Sequence, residues 1–223
     1  MTNTIKQIQK RVGVSADGVF GNDTLKAVAA ALSCAESVRV VQHVVGAKPD
    51  GKIGSETLSK IAAALGLHVW PSQAEVRSGK SIFGKAGDES NLVNVVPPFP
   101  LYYDGQAVKT IRVHKLIKSA VLAALEKIKA AYTPAEIHRL GLDDYGGSYN
   151  YRSTASGKSL SMHAWGIAFD FAPAKNAYST KAPRASLSLP ECRAFWEAWE
   201  SVGAVSLGRE RNYDWMHVQF ATL

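Results

Sequence analysis

Two short segments carry the residues most able to do chemistry. The first is Ser161-Met-His163-Ala-Trp-Gly166-Ile-Ala168-Phe-Asp170, and the second is Asp214-Trp-Met-His217 near the C-terminus. Together they offer two imidazoles and a carboxylate as candidate ligands for one zinc ion, with a spare carboxylate three residues before the second histidine. Zinc in hydrolases takes three protein ligands and leaves a fourth position for water. A carboxylate beside the metal but not bound to it can take the proton from that water. The chemistry this set points to is metal-assisted hydrolysis.

The residues around the ligands predict the elements that hold them. Ile167, Phe169 and Phe171 alternate with Ala168, Asp170 and Ala172, which sends Asp170 to the face opposite the apolar side chains. Met216, Val218 and Phe220 alternate with His217 and Gln219 in the same way. Each segment reads as a half-buried strand with one candidate ligand on its polar face, and pairing the two would bring Asp170 and His217 over one surface. Gly166 would allow a bend that swings His163 back over the sheet. Asp214 has an odd offset from His217, so it reaches the site only if the chain turns or bulges between them. That makes it a poor fourth ligand and a candidate general base.

These residues resemble the VanY-type D-alanyl-D-alanine carboxypeptidases and the related phage L-alanyl-D-glutamate endopeptidases. The shared pattern is Ser-x-His-x-x-Gly-x-Ala-x-Asp followed by an acidic residue three positions before a His, matched by Ser161, His163, Gly166, Ala168, Asp170, Asp214 and His217. The resemblance covers about residues 98–223. It implies zinc (Zn2+) ligation by His163, Asp170 and His217, with Asp214 as the catalytic base. It also implies an α+β fold with an antiparallel sheet, of the type shared by hedgehog, lysostaphin and D-Ala-D-Ala peptidases. Arg152, in Gly146-Gly-Ser-Tyr-Asn-Tyr-Arg152, stands where the family carries a substrate-contacting arginine. Its guanidinium could clamp a carboxylate or stabilise an oxyanion. Ser161 resembles a family residue that holds substrate or the first ligand.

The N-terminal third repeats itself. Asp17-Gly-Val-Phe-Gly-Asn-Asp-Thr-Leu25 recurs as Asp50-Gly-Lys-Ile-Gly-Ser-Glu-Thr-Leu58, and Gln9, Val28 and Leu32 match Gln42, Ile61 and Leu65 in the same register. Each copy reads as a helix, an Asp-Gly turn and a second helix capped near Asn22 or Ser55. Two such units can pack their apolar stripes into a small bundle. The region resembles the peptidoglycan-binding domain 1 family over about residues 4–66, which implies a wall-anchoring module without catalytic chemistry.

The expected organisation is therefore a helical binding domain over 1–66, a linker over 67–97 and a zinc peptidase domain over 98–223. Residues 108–131 read as a long amphipathic helix, and Glu191 to Val202 as a shorter one entered through Pro190. Lys and Arg number 26 against 19 Asp and Glu, a net charge of +7. This balance favours anionic polymers, but no basic stripe interleaved with aromatics argues for nucleic acid. Cys34 and Cys192 have no Cys-x-x-Cys spacing and are expected as free thiols. His43, His68, His114 and His138 are expected to be structural or exposed, and Glu197 and Glu200 to lie on a solvated helix face.

No segment is expected to insert stably in a membrane or to act as a secretory signal. By the resemblance, this suggests a monomeric phage endolysin that accumulates in the host bacterial cytoplasm and reaches peptidoglycan when a partner holin opens the membrane. The alternatives are a D-alanyl-D-alanine carboxypeptidase and a non-catalytic wall-binding protein.

Overall fold

The computed structural model describes residues 2–67 and 70–223. His68 therefore lies outside the described residues. The chain divides into two compact units, Met1–Val69 and Trp70–Leu223.

The first unit consists of α1 (Thr2–Val12), α2 (Asn22–Ala31), α3 (Val38–Val44) and α4 (Ser55–Ala64). Ile8, Val28, Val41, Leu58 and Ile61 are its buried centre. The helices start one residue earlier than their expected caps imply: Gly21 and Gly54 occupy the cap positions, so Asn22 is already helical. The sequence repeat has a specific polar cause. The buried Gln9 amide donates to Asp17 at 2.7 Å, to the Val19 carbonyl at 3.0 Å and to the Thr24 hydroxyl at 3.0 Å, while its oxygen accepts from Gly18 N at 2.9 Å. Gln42 makes the same four bonds to Asp50, Lys52, Thr57 and Gly51, at 2.9, 3.0, 3.1 and 2.8 Å. Gly18 and Gly51 have φ of +82° and +79°, the left-handed region in which glycine is unstrained. One buried glutamine thus ties each first helix to its turn and to the start of the next helix.

The second unit is α+β, as expected. Its elements before the main sheet are α5 (Gln73–Arg77), β1 (Leu92–Val95), β2 (Leu101–Tyr103), β3 (Gln106–Val108), β4 (Ile111–His114), α6 (Lys118–Ala131) and α7 (Pro134–Leu140). Then come β5 (Tyr145–Gly147), β6 (Ala168–Phe171), α8 (Arg193–Glu200), β7 (Val205–Ser206), α9 (Leu207–Arg211) and β8 (His217–Gln219). The main sheet is antiparallel, in the order β5-β6-β8-β7. β1 pairs with β4, and β2 with β3.

Two expectations change here. From Trp70 onward, the stretch read as a linker belongs to the second unit, because its apolar residues fill that core. Val76, Phe83 and Val95 are buried, and Trp70 stacks on Phe83 at 5.8 Å and meets Phe220 edge-on at 5.2 Å. The helix expected from residue 108 begins only at Lys118. Ile111 and Val113 are β-branched, alternate with Arg112 and pair with β1, so period two wins over this part of the segment.

One face of the main sheet is sealed by aromatic packing. Phe169 lies 5.3 Å from Trp199, and Phe171 lies 5.2 Å from Phe195, both across to α8. The sequence led us to expect half-buried strands, but every residue of β6 and β8 is buried. The opposite face is covered too, partly by a 3-10 turn at Met162–Trp165.

Among the described residues, no helix is long and apolar enough to cross a membrane. Both cysteines are free thiols, and burial raises the Cys192 thiol to about 11, which leaves it a poor nucleophile. Glu197 pairs with Arg193 at 2.6 Å and Glu200 with Arg209 at 2.9 Å, away from any paired-carboxylate site.

Replacing Gln42 with Leu removes the four bonds that tie α3 to its turn and to the start of α4. The expected cost is about 1–3 kcal/mol, read as a lower urea midpoint of the helical circular dichroism signal. Gln9→Leu is expected to cost a similar amount, and an unchanged midpoint in both would contradict the role given to these amides.

Candidate metal centre

The register of the main sheet assembles the site. Asp170 stands directly opposite His217, and Ala168 opposite Gln219. Opposed residues share a face, as do residues two apart on a strand. Asp170, His217 and Gln219 therefore project from one side, away from Phe169, Phe171 and Val218.

His163 arrives from the Met162–Trp165 turn. The Ser161 hydroxyl accepts from His163 N at 3.4 Å and caps this turn, and Gly166 ends it with φ +67°. A Cβ at Gly166 would lie 2.6 Å from a Leu92 methyl and 3.2 Å from His114 N. Glycine is needed there both for the left-handed backbone and for close approach to β4, where His114 N donates to Gly166 O at 2.9 Å. His114 ends that strand, and its ring accepts from Leu116 N at 3.2 Å instead of opening a long helix.

The three candidate ligands meet at short range. His163 Nε2 is 3.3 Å from His217 Nδ1 and 3.2 Å from Asp170 Oδ2, while His217 Nδ1 is 3.0 Å from Asp170 Oδ1. All three residues are buried, and they form a group able to hold a metal ion. Donors about 2.0–2.2 Å from a tetrahedral ion lie roughly 3.3–3.6 Å apart, so these separations fit a zinc-sized cation with little movement. The proton positions fit as well. His163 Nδ1 faces the Ser148 carbonyl at 3.0 Å. A carbonyl can only accept, so Nδ1 carries a proton and Nε2 is the atom turned toward the cluster.

Electrostatics distinguish the two aspartates. Burial opposes ionisation of Asp170, but hydrogen bonds and charge from His163 and His217 outweigh it and hold the carboxyl well below the ordinary range. Burial also disfavours a charged His217, yet hydrogen bonding to Asp170 and the charges of Asp170 and Asp214 raise its pKa. For Asp214 burial is the largest influence and raises the pKa. Asp170 adds to that rise, while His217, His163 and Arg152 only partly offset it.

Asp214 comes within electrostatic reach of the cluster through a turn. Its φ is +52°, and His217 N donates to its carbonyl at 3.0 Å. Asp214 N in turn donates to Tyr178 O at 2.9 Å. Its Oδ1 is buried without a hydrogen-bond partner, which suits a carboxyl that exchanges a proton with something not in the chain itself.

Arg152 lies at the exposed margin, with Nη2 3.8 Å from Asp170 Oδ2. A cleft of about 330 Å³ opens beside the cluster, lined by Arg152, Tyr103, Arg112, Tyr149, His163 and Asp170 among others. Arg112 is engaged by Glu89 at 2.8 Å and lies 5.3 Å from the Tyr149 ring centre. Of the other histidines, exposed His138 pairs with Asp143 at 2.9 Å, far along the chain from the cluster. Sequence reasoning missed Ser148, whose contribution is a backbone carbonyl and leaves no side-chain signal. It also passed over Gln219, which the strand alternation placed beside His217 without suggesting a task.

Residues 154–220 match a family model described as D-alanyl-D-alanine carboxypeptidase. The matched stretch contains Ser161, His163, Asp170, Asp214 and His217 and begins just after Arg152. No curated protein and no solved structure matches the chain.

The raised Asp214 pKa has a sign that can be tested. The folded chain binds this proton more tightly than the unfolded chain, so ionised Asp214 destabilises the fold above the ordinary carboxylate range, and the cost disappears below it. Asp214→Asn, which also tolerates a positive φ, removes that cost. In metal-free protein at pH 7 we expect a higher midpoint, with the gap shrinking toward pH 4. Tryptophan fluorescence reads this unit alone, since all five tryptophans lie in it. A lower midpoint at pH 7 would count against the assignment.

Proposed function

We propose that the protein is a zinc-dependent peptidoglycan peptidase that hydrolyses an amide bond in the wall stem peptide. The observation that carries this reading is the buried His163–Asp170–His217 cluster beside Asp214, whose carboxyl is raised and has one unpartnered oxygen. Zinc held by the three ligands would acidify the attacking water and polarise the scissile carbonyl. Asp214 accepts a proton from that water as its oxygen adds to the amide carbon, and returns the proton to the departing amine nitrogen when the C–N bond breaks. Arg152, at the rim of the cleft, supplies positive charge for a substrate carboxylate or for the developing oxyanion. Ser161 caps the turn that presents His163.

The first unit is proposed to bind the wall. Support comes from its two matching helix–turn–helix halves, each built on the same glutamine network. A wall-binding unit joined to a wall-cutting unit suits an endolysin acting on an L-alanyl-D-glutamate or cross-link bond. The description of the matching family favours a second reading, a carboxypeptidase that removes terminal D-alanine. The two differ in product, and mass spectrometry of digested sacculi separates them. New N-termini within the stem peptide support the endopeptidase, and loss of single D-alanine residues supports the carboxypeptidase. No cleavage by folded, zinc-loaded protein would leave wall binding as the function.

Two further outcomes follow from the assigned roles. A chelator is expected to abolish cleavage, with recovery on adding zinc. Asp214→Ala is expected to keep one zinc per chain while losing about 10²–10⁴-fold in rate, whereas His163→Ala or His217→Ala loses both metal and activity. Metal analysis of Asp214→Ala showing no zinc would move Asp214 from base to ligand.

A further inference from the structure

The proton on His217 is assigned by a chain of hydrogen bonds that starts in α5. Arg77 can only donate, and its Nη1 lies 3.0 Å from Gln73 Oε1. This orients the Gln73 amide, whose nitrogen then donates to Gln219 Oε1 at 3.0 Å. The other end of the Gln219 amide faces the Ala221 carbonyl at 2.7 Å, which can only accept, so that end must be the NH2 group. Both amides are thus oriented independently, from a pure donor at one end and a pure acceptor at the other. His217 Nε2 lies 3.1 Å from the same Gln219 Oε1. An oxygen that cannot donate requires a proton on Nε2, and Nδ1 is then left facing Asp170 and His163. Gln219 is 1% exposed, so water does not substitute for these bonds. Arg77 is itself fixed, with Nε donating to Leu160 O at 3.0 Å.

We propose that Gln219, oriented by Gln73 and Arg77, is a positioning residue that holds the His217 proton on Nε2 and so presents Nδ1 as the metal-binding atom. The proposal rests on the metal-centre reading above and adds its second layer. It assigns a task to α5, which belongs to the stretch that read as a linker. Partners that orient a ligand in this way typically change metal affinity by 10–100-fold when removed.

The test uses the full chain, with zinc as the probe and no substrate. In zinc-loaded wild type, ¹⁵N-resolved imidazole spectra are expected to show His217 carrying a slowly exchanging proton on Nε2, with the metal on Nδ1. Gln219→Met keeps the volume but removes the acceptor, and competition with a chelator should show zinc binding about 10–100-fold weaker. Gln219→Glu restores an acceptor for His217 and should regain most of that loss, which a purely structural role for the amide would not predict.

The proposal falls if wild-type His217 binds zinc through Nε2, if folded Gln219→Met binds zinc as tightly as wild type, or if Gln219→Glu is as weak as Gln219→Met. Should Gln219→Met fail to fold, the wild-type spectrum still decides. Zinc affinity and the imidazole spectrum are independent of substrate. A protein that binds zinc in this manner but cleaves no wall peptide would retain the positioning role and lose the proposed activity.

Discussion

The antiparallel register of β6 against β8 is the constraint on which the site depends. Asp170 and His217 are opposed residues, so their side chains share one face, and Gln219 follows on that face two positions along. A slip of one residue would exchange His217 for Val218 and dismantle the cluster. The other face makes such a slip costly. Phe169, Phe171 and Phe220 pack with Phe195 and Trp199, all almost fully buried, so the wrong register would place a histidine and a glutamine among aromatic rings. The hydrophobic face therefore sets the alignment that the polar face uses.

A polar cluster buried this deeply survives because nearly every donor and acceptor around it is matched. His163 is oriented by the Ser148 carbonyl, which belongs to the loop after β5. His217 is oriented by Gln219, and Gln219 by a helix more than a hundred residues earlier in the chain. Asp170 stays ionised because two imidazoles offset its burial. Asp214 lacks that compensation, and its carboxyl is raised. One site thus holds a stabilised carboxylate beside a destabilised one, the contrast on which the proposed ligand and base roles rest.

The first unit applies the same principle. Gln9 and Gln42 are buried amides with all four bonds made to a turn and a helix start, so each fixes local geometry that the small apolar core containing Ile8 and Ile61 would leave loose. The segment after it, with Trp70, Phe83 and Val95 in the second core, shows that a Gly- and Ser-rich composition does not make a linker when large apolar residues are spaced through it.

By itself the sequence determined the residue set His163, Asp170, Asp214 and His217, the period-two strands that carry two of them, the Asp-Gly repeats and the α+β class. Those are local patterns, legible because side-chain alternation and turn chemistry depend on near neighbours. It could not locate the start of α6, since Ile111 and Val113 suit either period until β1 is there to pair with them. Nor could it assign α5 to the second unit or find Ser148 and Gln73, whose roles are single hydrogen bonds to residues far away in sequence. Tertiary structure alone decided which nitrogen of each histidine faces the cluster, because a tautomer is set by the partner on the far side of the ring, and that partner is brought there only by the fold.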